Sequence, residues 1–286
     1  MTCTGGPDRA VVVRVSGPTA TICRSGRLHE ARLAPRLPGR PVVAGDNVRL
    51  RLGADDADTV VIAIDPRRTR LERGDGRERR PRMLVANADL LLVTAAIVDP
   101  PLRPRLVDRY LVAAVVITKA DLPHDPAELT DVAGLYRDLG YPVLHGCSRD
   151  TGFTEAIRDL IGNRTAVLAG HSGVGKSTLT TALTGVERAT GAVSERVGKG
   201  RHTTTDPRLI RMPGSGAIVD TAGVRTFHLP RMEQTDLEQG FPEIAAAAGE
   251  CRFRGCAHDG DAGCAVVDRV HPRRLESYRR LLHDLR

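Results

Sequence analysis

Tryptophan is absent from this chain, and aromatic residues make up only 3% of its 286 residues. Flat side chains on which single-stranded bases stack are therefore scarce, so any contact with RNA is expected to depend mostly on phosphates and on shape. The formal net charge of +7 favours an anionic partner, although many basic proteins bind nothing in particular.

Long apolar runs are also missing, since no stretch approaches the roughly 18 apolar residues of a membrane span. The amino terminus, MTCTGGPDRA, lacks the basic and then apolar pattern of a signal peptide. We therefore expect a cytoplasmic protein without membrane contact. In that compartment the six cysteines are not expected to form a disulfide framework.

Lysine is the third scarce residue, because only three of the 42 basic residues are lysines and the other 39 are arginines. Arginine is planar and bulky, so a compact ammonium group is kept where arginine cannot replace it. The three are Lys119 in TKAD, Lys176 in GVGKS and Lys199 in VGKGRHTTT. All three segments are typical of nucleotide sites, which indicates that the motifs are functional.

The pattern of apolar residues divides the chain into parts. Five short alternating runs before residue 65 predict a small β-barrel or sandwich. Asp65–Arg82, with eight arginines against four acids, is interpreted as an exposed, flexible basic connector that contacts nucleic acid or is merely solvated. From Ala88, strands alternate with helices, which predicts a mostly parallel α/β domain.

The segment GHSGVGKS matches the phosphate-loop pattern G-x-x-x-x-G-K-S between a predicted strand and a predicted helix. Backbone N–H groups of such a loop wrap the phosphates, the lysine reaches the β- and γ-phosphates, and the serine binds Mg²⁺. A glycine-rich turn at a helix start is the disfavoured alternative. The predicted nucleotide-binding residues here are Gly170, His171, Ser172, Gly173, Val174, Gly175, Lys176, Ser177 and Thr178.

Two further segments complete a candidate magnesium and γ-phosphate site. DTAG ends an apolar strand, so Asp220 is expected to hold Mg²⁺ and the N–H of Gly223 to meet the γ-phosphate. Between the two motifs, GKGRHTTT offers a switch loop in which Thr204 is the first choice as a magnesium ligand, beside Ser177 and Asp220. A polar loop without function is the alternative.

The run VVITKADL has the form of a guanine-reading loop made of Thr118, Lys119, Ala120 and Asp121. A carboxylate at Asp121 accepts hydrogen bonds from N1 and N2 of guanine, a donor pair that adenine lacks. Ser148, in GCSRDTG after the next strand, is predicted to support the base. The alternative is that the tetrapeptide only caps a helix.

The guanine loop precedes the phosphate loop, whereas in ordinary GTPases it follows. Moving the first half of the α/β segment to its end restores the ordinary order of the motifs. Chain ends of compact domains often lie close together, so joining them and cutting elsewhere preserves a site. The order therefore predicts a circularly permuted GTPase.

Near the end of the chain lies the pattern C-x4-C-x-H-x5-C, formed by Cys251, Cys256, His258 and Cys264. Three thiolates and one imidazole suit a single tetrahedral, structural Zn²⁺ ion. A disulfide and four unrelated residues are the alternatives.

Together the barrel, the permuted motifs and this cluster resemble the bacterial small-ribosomal-subunit biogenesis GTPase family, RsgA (also called YjeQ). The resemblance implies a multidomain α/β protein with three parts: an N-terminal OB-fold at 1–80 with the basic connector, a permuted P-loop GTPase domain at 81–233, and a small, mostly helical zinc domain at 234–286. It also implies late maturation of the 30S subunit, rRNA binding by the flanking domains, and GTP hydrolysis with Mg²⁺ that the subunit stimulates. Cys251, Cys256, His258 and Cys264 are then the zinc ligands, and a monomer is expected.

The chain departs from that family at several positions. Thr118 stands where asparagine is usual, Ala222 where proline is usual, and the stretch before Thr118 is short. In Ras-like enzymes, by contrast, a water-orienting glutamine follows the glycine of this motif; here Val224 follows Gly223, which predicts slow intrinsic hydrolysis. His202, beside the switch threonines, is the candidate catalytic replacement together with Thr204; an exposed loop histidine is the alternative.

The sequence is compatible with three functions. The leading one is a GTP-hydrolysing assembly factor that binds 16S rRNA and leaves after hydrolysis. The second is an rRNA-binding module with nucleotide-regulated docking and negligible turnover. The third, a P-loop ATPase or kinase, does not explain the TKAD and GCS pair.

Overall fold

The computed structural model describes residues 6–35, 37, 41–53, 58–73, 82–102, 114–187, 207–214, 216–221 and 233–285. Its first five strands close into a barrel in the order β1–β2–β3–β5–β4. They are β1 Arg9–Ser16, β2 Thr19–Arg24, β3 Arg27–Leu33, β4 Asn47–Arg51 and β5 Val60–Ile64. Alternating apolar side chains such as Val12, Ile22 and Val48 fill the interior, so the predicted N-terminal barrel is confirmed.

The segment after the barrel is exposed in part, but it also makes specific contacts. Arg67 is buried and donates two hydrogen bonds, of 2.6 and 2.8 Å, to the buried carboxylate of Asp46. Farther along, β6 (Arg70–Arg73) pairs with β7 (Arg82–Ala86) in an antiparallel ribbon. The interpretation as an exposed segment is therefore wrong for the side chain of Arg67, whereas Arg68, Thr69 and Arg70 are exposed. Residues 74–81 lie outside the described part.

The barrel is held to the rest of the chain through its β3–β4 loop. Ala86 N–H donates to the carbonyl of Ala44, and the side chain of Asn87 donates to the carbonyl of Gly45. A β-carbon on Gly45 would lie 2.0 Å from the carbonyl oxygen of Ala86, so only glycine permits this approach. These contacts therefore hold the β3–β4 loop of the barrel against the end of β7, the strand that leads into the next domain.

The central domain contains a six-stranded sheet with the order β10–β9–β8–β11–β13–β12, in which only β12 is antiparallel to its neighbour. The strands are β8 Leu90–Ala96, β9 Ala114–Thr118, β10 Val143–His145, β11 Thr165–Ala169, β12 Arg208–Arg211 and β13 Ala217–Asp220. The described helices are α1 Pro126–Asp138, α2 Thr151–Ile161 and α3 Lys176–Thr184. Tyr136 of α1 packs in one apolar core, and Ile157 and Leu179 pack in a second. The predicted α/β layers, mostly parallel, are confirmed.

The last part of the chain is mostly helical, as predicted. It contains α4 Gln234–Gln239, α5 Pro242–Ala248, α6 Val266–Arg269 and α7 Pro272–Leu285. These helices share a core with Cys256 and Cys264, in which Phe241 and Tyr278 meet edge to face at 5.6 Å. Among the described residues, no helix has the length and apolar character to cross a bilayer.

Candidate functional site

The phosphate loop joins the end of β11 to the start of α3 in the middle of the sheet. Gly170, Gly173 and Gly175 all have left-handed backbone angles, with φ of 145°, 85° and 88°. A β-carbon on Gly170 would lie 2.0 Å from the carbonyl oxygen of Thr94 in β8, so this position requires glycine. The loop therefore has the strand–loop–helix setting that phosphate binding needs.

Lys176 lies at the first turn of α3, and its ammonium group points back over the loop. It donates to the carbonyl of Gly170 at 2.8 Å and to that of His171. A bound phosphate offers stronger, charged acceptors at the same end of the helix. Ser177 follows as a half-buried residue.

Asp220 ends β13 beside the strand that carries the phosphate loop. Its backbone pairs with Leu168 of β11, and its side chain is buried. The next residue, Thr221, donates from its hydroxyl to the carbonyl of Leu168 at 2.9 Å. Parallel pairing thus places the DTAG carboxylate at the edge of the sheet where the phosphate loop begins, as a magnesium site requires.

The guanine-type loop follows β9, which is separated from β11 only by β8. The hydroxyl of buried Thr118 donates to the carbonyl of Val174 in the phosphate loop at 2.6 Å. Ala120 N–H donates to the carbonyl of Gly146 at 3.2 Å, which brings the segment containing Ser148 beside it. The fold therefore brings together three motifs that are far apart in the sequence.

The base-reading side chains remain accessible in this arrangement. Asp121 is exposed, and Ser148 is half-buried. Lys119 adopts a left-handed φ of 61°, and its ammonium donates to the carbonyl of Asp99 with the Asp99 carboxylate 3.8 Å away. Asp99 could not be predicted from the sequence, because nothing in AIVDPP marks it as a neighbour of the guanine loop.

Four metal-type ligands also come together near the carboxyl end. The ligand atoms of Cys251, Cys256, His258 and Cys264 all lie within 4.8 Å of one another. Nδ1 of His258 is 3.6 Å from Sγ of Cys251 and 3.5 Å from Sγ of Cys264. Tetrahedral zinc, with Zn–S about 2.3 Å and Zn–N about 2.05 Å, separates sulfur and nitrogen by roughly 3.6 Å. The donor set and its spacing therefore fit a closed tetrahedral metal site.

Proton binding at Cys256 competes with metal binding. Burial raises the pKa of the Cys256 thiol to about 12, so this thiol keeps its proton when no metal is bound. A divalent ion reverses that preference by stabilising the thiolates. Asp261 accepts hydrogen bonds from Sγ of Cys256 at 3.3 Å and from Ala257 N–H at 2.9 Å. The hydrogen bond from Cys256 lowers the pKa of Asp261.

Three predicted site residues, His202, Thr204 and Gly223, lie outside the described residues. The same holds for Lys199, Ala222, Val224 and the shortened stretch before β9. The assignments of catalytic and switch residues therefore stay predictions.

Comparison with known proteins agrees with this arrangement. The family described as RsgA GTPase matches residues 64–230. The small ribosomal subunit biogenesis GTPase RsgA of Azotobacter vinelandii is 37% identical over 277 residues, which cover 91% of this chain and 79% of that protein. The protein of the same name from Chromohalobacter salexigens is 37% identical over 272 residues, covering 90% and 78%.

Two solved structures share the fold. The crystal structure of YloQ, described as a circularly permuted GTPase, superimposes with a TM-score of 0.75 at 22% identity, covering 97% of this chain and 94% of that one. YjeQ from Thermotoga maritima gives 0.73 at 22% identity, covering 97% and 98%. The order of strands around the phosphate loop, the family match and these relatives lead to one conclusion: the chain belongs to the RsgA family of circularly permuted GTPases.

Proposed function

We propose that this protein binds and hydrolyses GTP during late maturation of the small ribosomal subunit and leaves the subunit after hydrolysis. The observation that carries the proposal is the hydrogen bond from Thr118 to Val174, which joins a guanine-type loop to a phosphate loop across a permuted sheet. An ATPase or kinase does not require a guanine-type loop beside its phosphate loop, because adenine lacks the pair of donors from which the Asp121 carboxylate accepts hydrogen bonds.

Each part of the site has a role in this reaction. Asp121 accepts from N1 and N2 of guanine, Lys119 lies along the base, and Ser148 supports it. Lys176 replaces its bonds to loop carbonyls with bonds to the β- and γ-phosphates. Ser177 and Asp220 hold Mg²⁺, and Thr204 is proposed to join them in the triphosphate state. His202 is proposed to position the attacking water, since Val224 cannot.

The Cys251, Cys256, His258 and Cys264 cluster is proposed to hold one structural Zn²⁺ ion. The ion would supply the charge that compensates for three thiolates, two of them buried, and would fix the loop 251–264 against helix α7. No reaction step depends on it, because the four ligands leave no open position.

Contact with 16S rRNA is proposed for the barrel and for the loop between the first two zinc ligands. In that loop the ring of Phe253 is 54% exposed, and the guanidinium of Arg252 lies 5.4 Å from its centre. An exposed aromatic ring beside arginines suits one stacked base and nearby phosphates. The low aromatic content predicts few stacking contacts with bases. The exposed Phe253 offers one such contact. We expect a monomer acting in the cytoplasm, where subunits mature.

GTP turnover measured with and without purified 30S subunits tests the proposal. Slow turnover of the free protein that accelerates when subunits are added supports an assembly GTPase. Equal and near-zero rates, with nucleotide-dependent binding to the subunit, support the alternative of an rRNA-binding module. A preference for ATP over GTP contradicts both.

A further inference from the structure

The imidazole of His258 has one nitrogen that the metal cluster does not use. Nδ1 faces the sulfur atoms of Cys251 and Cys264, at 3.6 and 3.5 Å. Nε2 points away from the cluster, is buried, and has no hydrogen-bond partner of good geometry. A histidine that binds a metal through Nδ1 carries its proton on Nε2, and a buried N–H without an acceptor is destabilising.

A carboxylate from a different element lies close to that nitrogen. Oε1 of Glu238, in helix α4, lies 3.4 Å from Nε2 of His258. The same oxygen accepts from Nε2 of Gln234 at 2.8 Å and from the hydroxyl of Tyr278 at 3.3 Å. Because these donors come from α4 and α7, the carboxylate is held in place rather than free to turn towards solvent.

The two carboxylates within the ligand loop have other partners. Asp259 lies beside Nε of Arg279, at 3.5 Å. Asp261 is engaged by Cys256 and by the backbone of Ala257. The carbonyl of His258 is likewise used, as it accepts from Arg279 at 2.7 Å. Among the described residues, Glu238 thus offers the carboxylate that can accept a hydrogen bond from the Nε2–H of His258.

We propose that Glu238 is the positioning residue of the metal cluster: it accepts the Nε2–H of His258 and thereby keeps Nδ1 free to bind the ion. The proposal rests on the zinc site proposed above. A metal-bound histidine commonly donates its second nitrogen to a carboxylate, which fixes the tautomer and the ring orientation and strengthens the ligand. A small adjustment of the imidazole ring is enough to shorten the 3.4 Å between Nε2 of His258 and Oε1 of Glu238 to the length of an ordinary hydrogen bond.

The contact also joins the cluster to helix α4. Gln234, one turn before Glu238, donates to the carbonyl of Cys256 at 2.8 Å. The Gln234–Cys256 hydrogen bond and the Glu238–His258 contact therefore both join the short helix α4 to the loop that carries the zinc ligands. Since α4 has only six residues, its position depends on such tertiary contacts rather than on its own helical stability.

The test compares zinc retention in the full-length protein and three variants. Glu238→Ala removes the acceptor, and Glu238→Gln keeps an oxygen acceptor without its charge. Glu276→Ala is the control, because Glu276 is a half-buried glutamate on α7 that pairs with exposed Arg280. Competition with a chromogenic chelator gives the apparent zinc affinity. We expect a loss of roughly 10- to 100-fold for Glu238→Ala, a smaller loss for Glu238→Gln, and no change for Glu276→Ala.

A second readout separates positioning from general stability. Long-range ¹H–¹⁵N spectra of histidine report which nitrogen carries the proton and how fast that proton exchanges. In the zinc-loaded wild-type protein we expect His258 to be bound through Nδ1, with a slowly exchanging Nε2–H. In Glu238→Gln, which preserves the shape of the side chain, we expect faster exchange of that proton while the protein remains folded.

The outcomes distinguish this proposal from the one on which it rests. If the folded wild-type protein binds no zinc, the metal site itself is wrong and the role of Glu238 is lost with it. If zinc binds but Glu238→Ala and Glu276→Ala hold it equally, only the role of Glu238 is wrong. Binding of His258 through Nε2 also overturns the proposal. Where Glu238→Ala does not fold, the exchange rate in Glu238→Gln decides.

Discussion

The hydroxyl of Thr118 donates a 2.6 Å hydrogen bond to the carbonyl of Val174, a residue 56 positions later in the chain. The two residues belong to the guanine loop and the phosphate loop, and both are buried. Asparagine is the usual residue at the position of Thr118 in the family that this chain resembles. A threonine hydroxyl here supplies the link between the loops, which explains how the site is assembled without the amide.

Replacing Thr118 with alanine tests this link. The change leaves the buried carbonyl of Val174 without its donor, which costs about 1–3 kcal/mol, or roughly 5- to 150-fold in an equilibrium constant. We expect guanine-nucleotide binding to weaken within that range, as measured with a fluorescent GDP analogue. Thr118→Ser keeps the hydroxyl and is expected to bind close to the wild type. Equal affinities for the alanine and wild-type proteins contradict the role.

Gly170 gives a steric prediction for the phosphate loop. In Gly170→Ala the new β-carbon meets the carbonyl of Thr94 at 2.0 Å, so the loop or β8 must shift. We expect loss of nucleotide binding together with a lower melting temperature. Gly134→Ala is the control, because Gly134 lies in helix α1 with no atom within 4 Å of the new β-carbon. That variant is expected to be unchanged or stabilised by up to about 1 kcal/mol.

The buried pair of Arg67 and Asp46 predicts a large effect on stability. Arg67→Ala leaves the carboxylate of Asp46 buried, with the Val43 N–H at 2.9 Å as its remaining donor in the described part of the chain. Breaking a buried pair in this way costs roughly 3–5 kcal/mol in the free energy of unfolding. Arg70→Ala, at an exposed arginine 3.6 Å from Glu72, is expected to cost less than about 1 kcal/mol. Urea unfolding measures both, and similar losses for the two variants contradict a special role for Arg67.

Much of this molecule follows from its sequence. The barrel, the alternating strands and helices and the order of the permuted motifs were predictable, because alternating apolar residues and glycine-rich loops are local signals. Contacts between residues that are far apart in the sequence were not predictable. The burial of Arg67 depends on Asp46, a residue in another loop, so charge counting misread it as exposed. Glu238 lies in a helix with no motif, and only folding brings it to His258.

The most direct test of the permuted guanine site is the base preference of Asp121→Asn. A carboxylate at Asp121 accepts from N1 and N2 of guanine, whereas an amide can donate to the oxygen that xanthine carries at C2. We predict that the wild-type protein binds GTP and not XTP, and that Asp121→Asn reverses the preference while the phosphate loop still binds. Competition with labelled nucleotide measures both affinities. An unchanged preference for GTP in the variant means that TKAD does not read the base, and it contradicts a guanine site built from the permuted order.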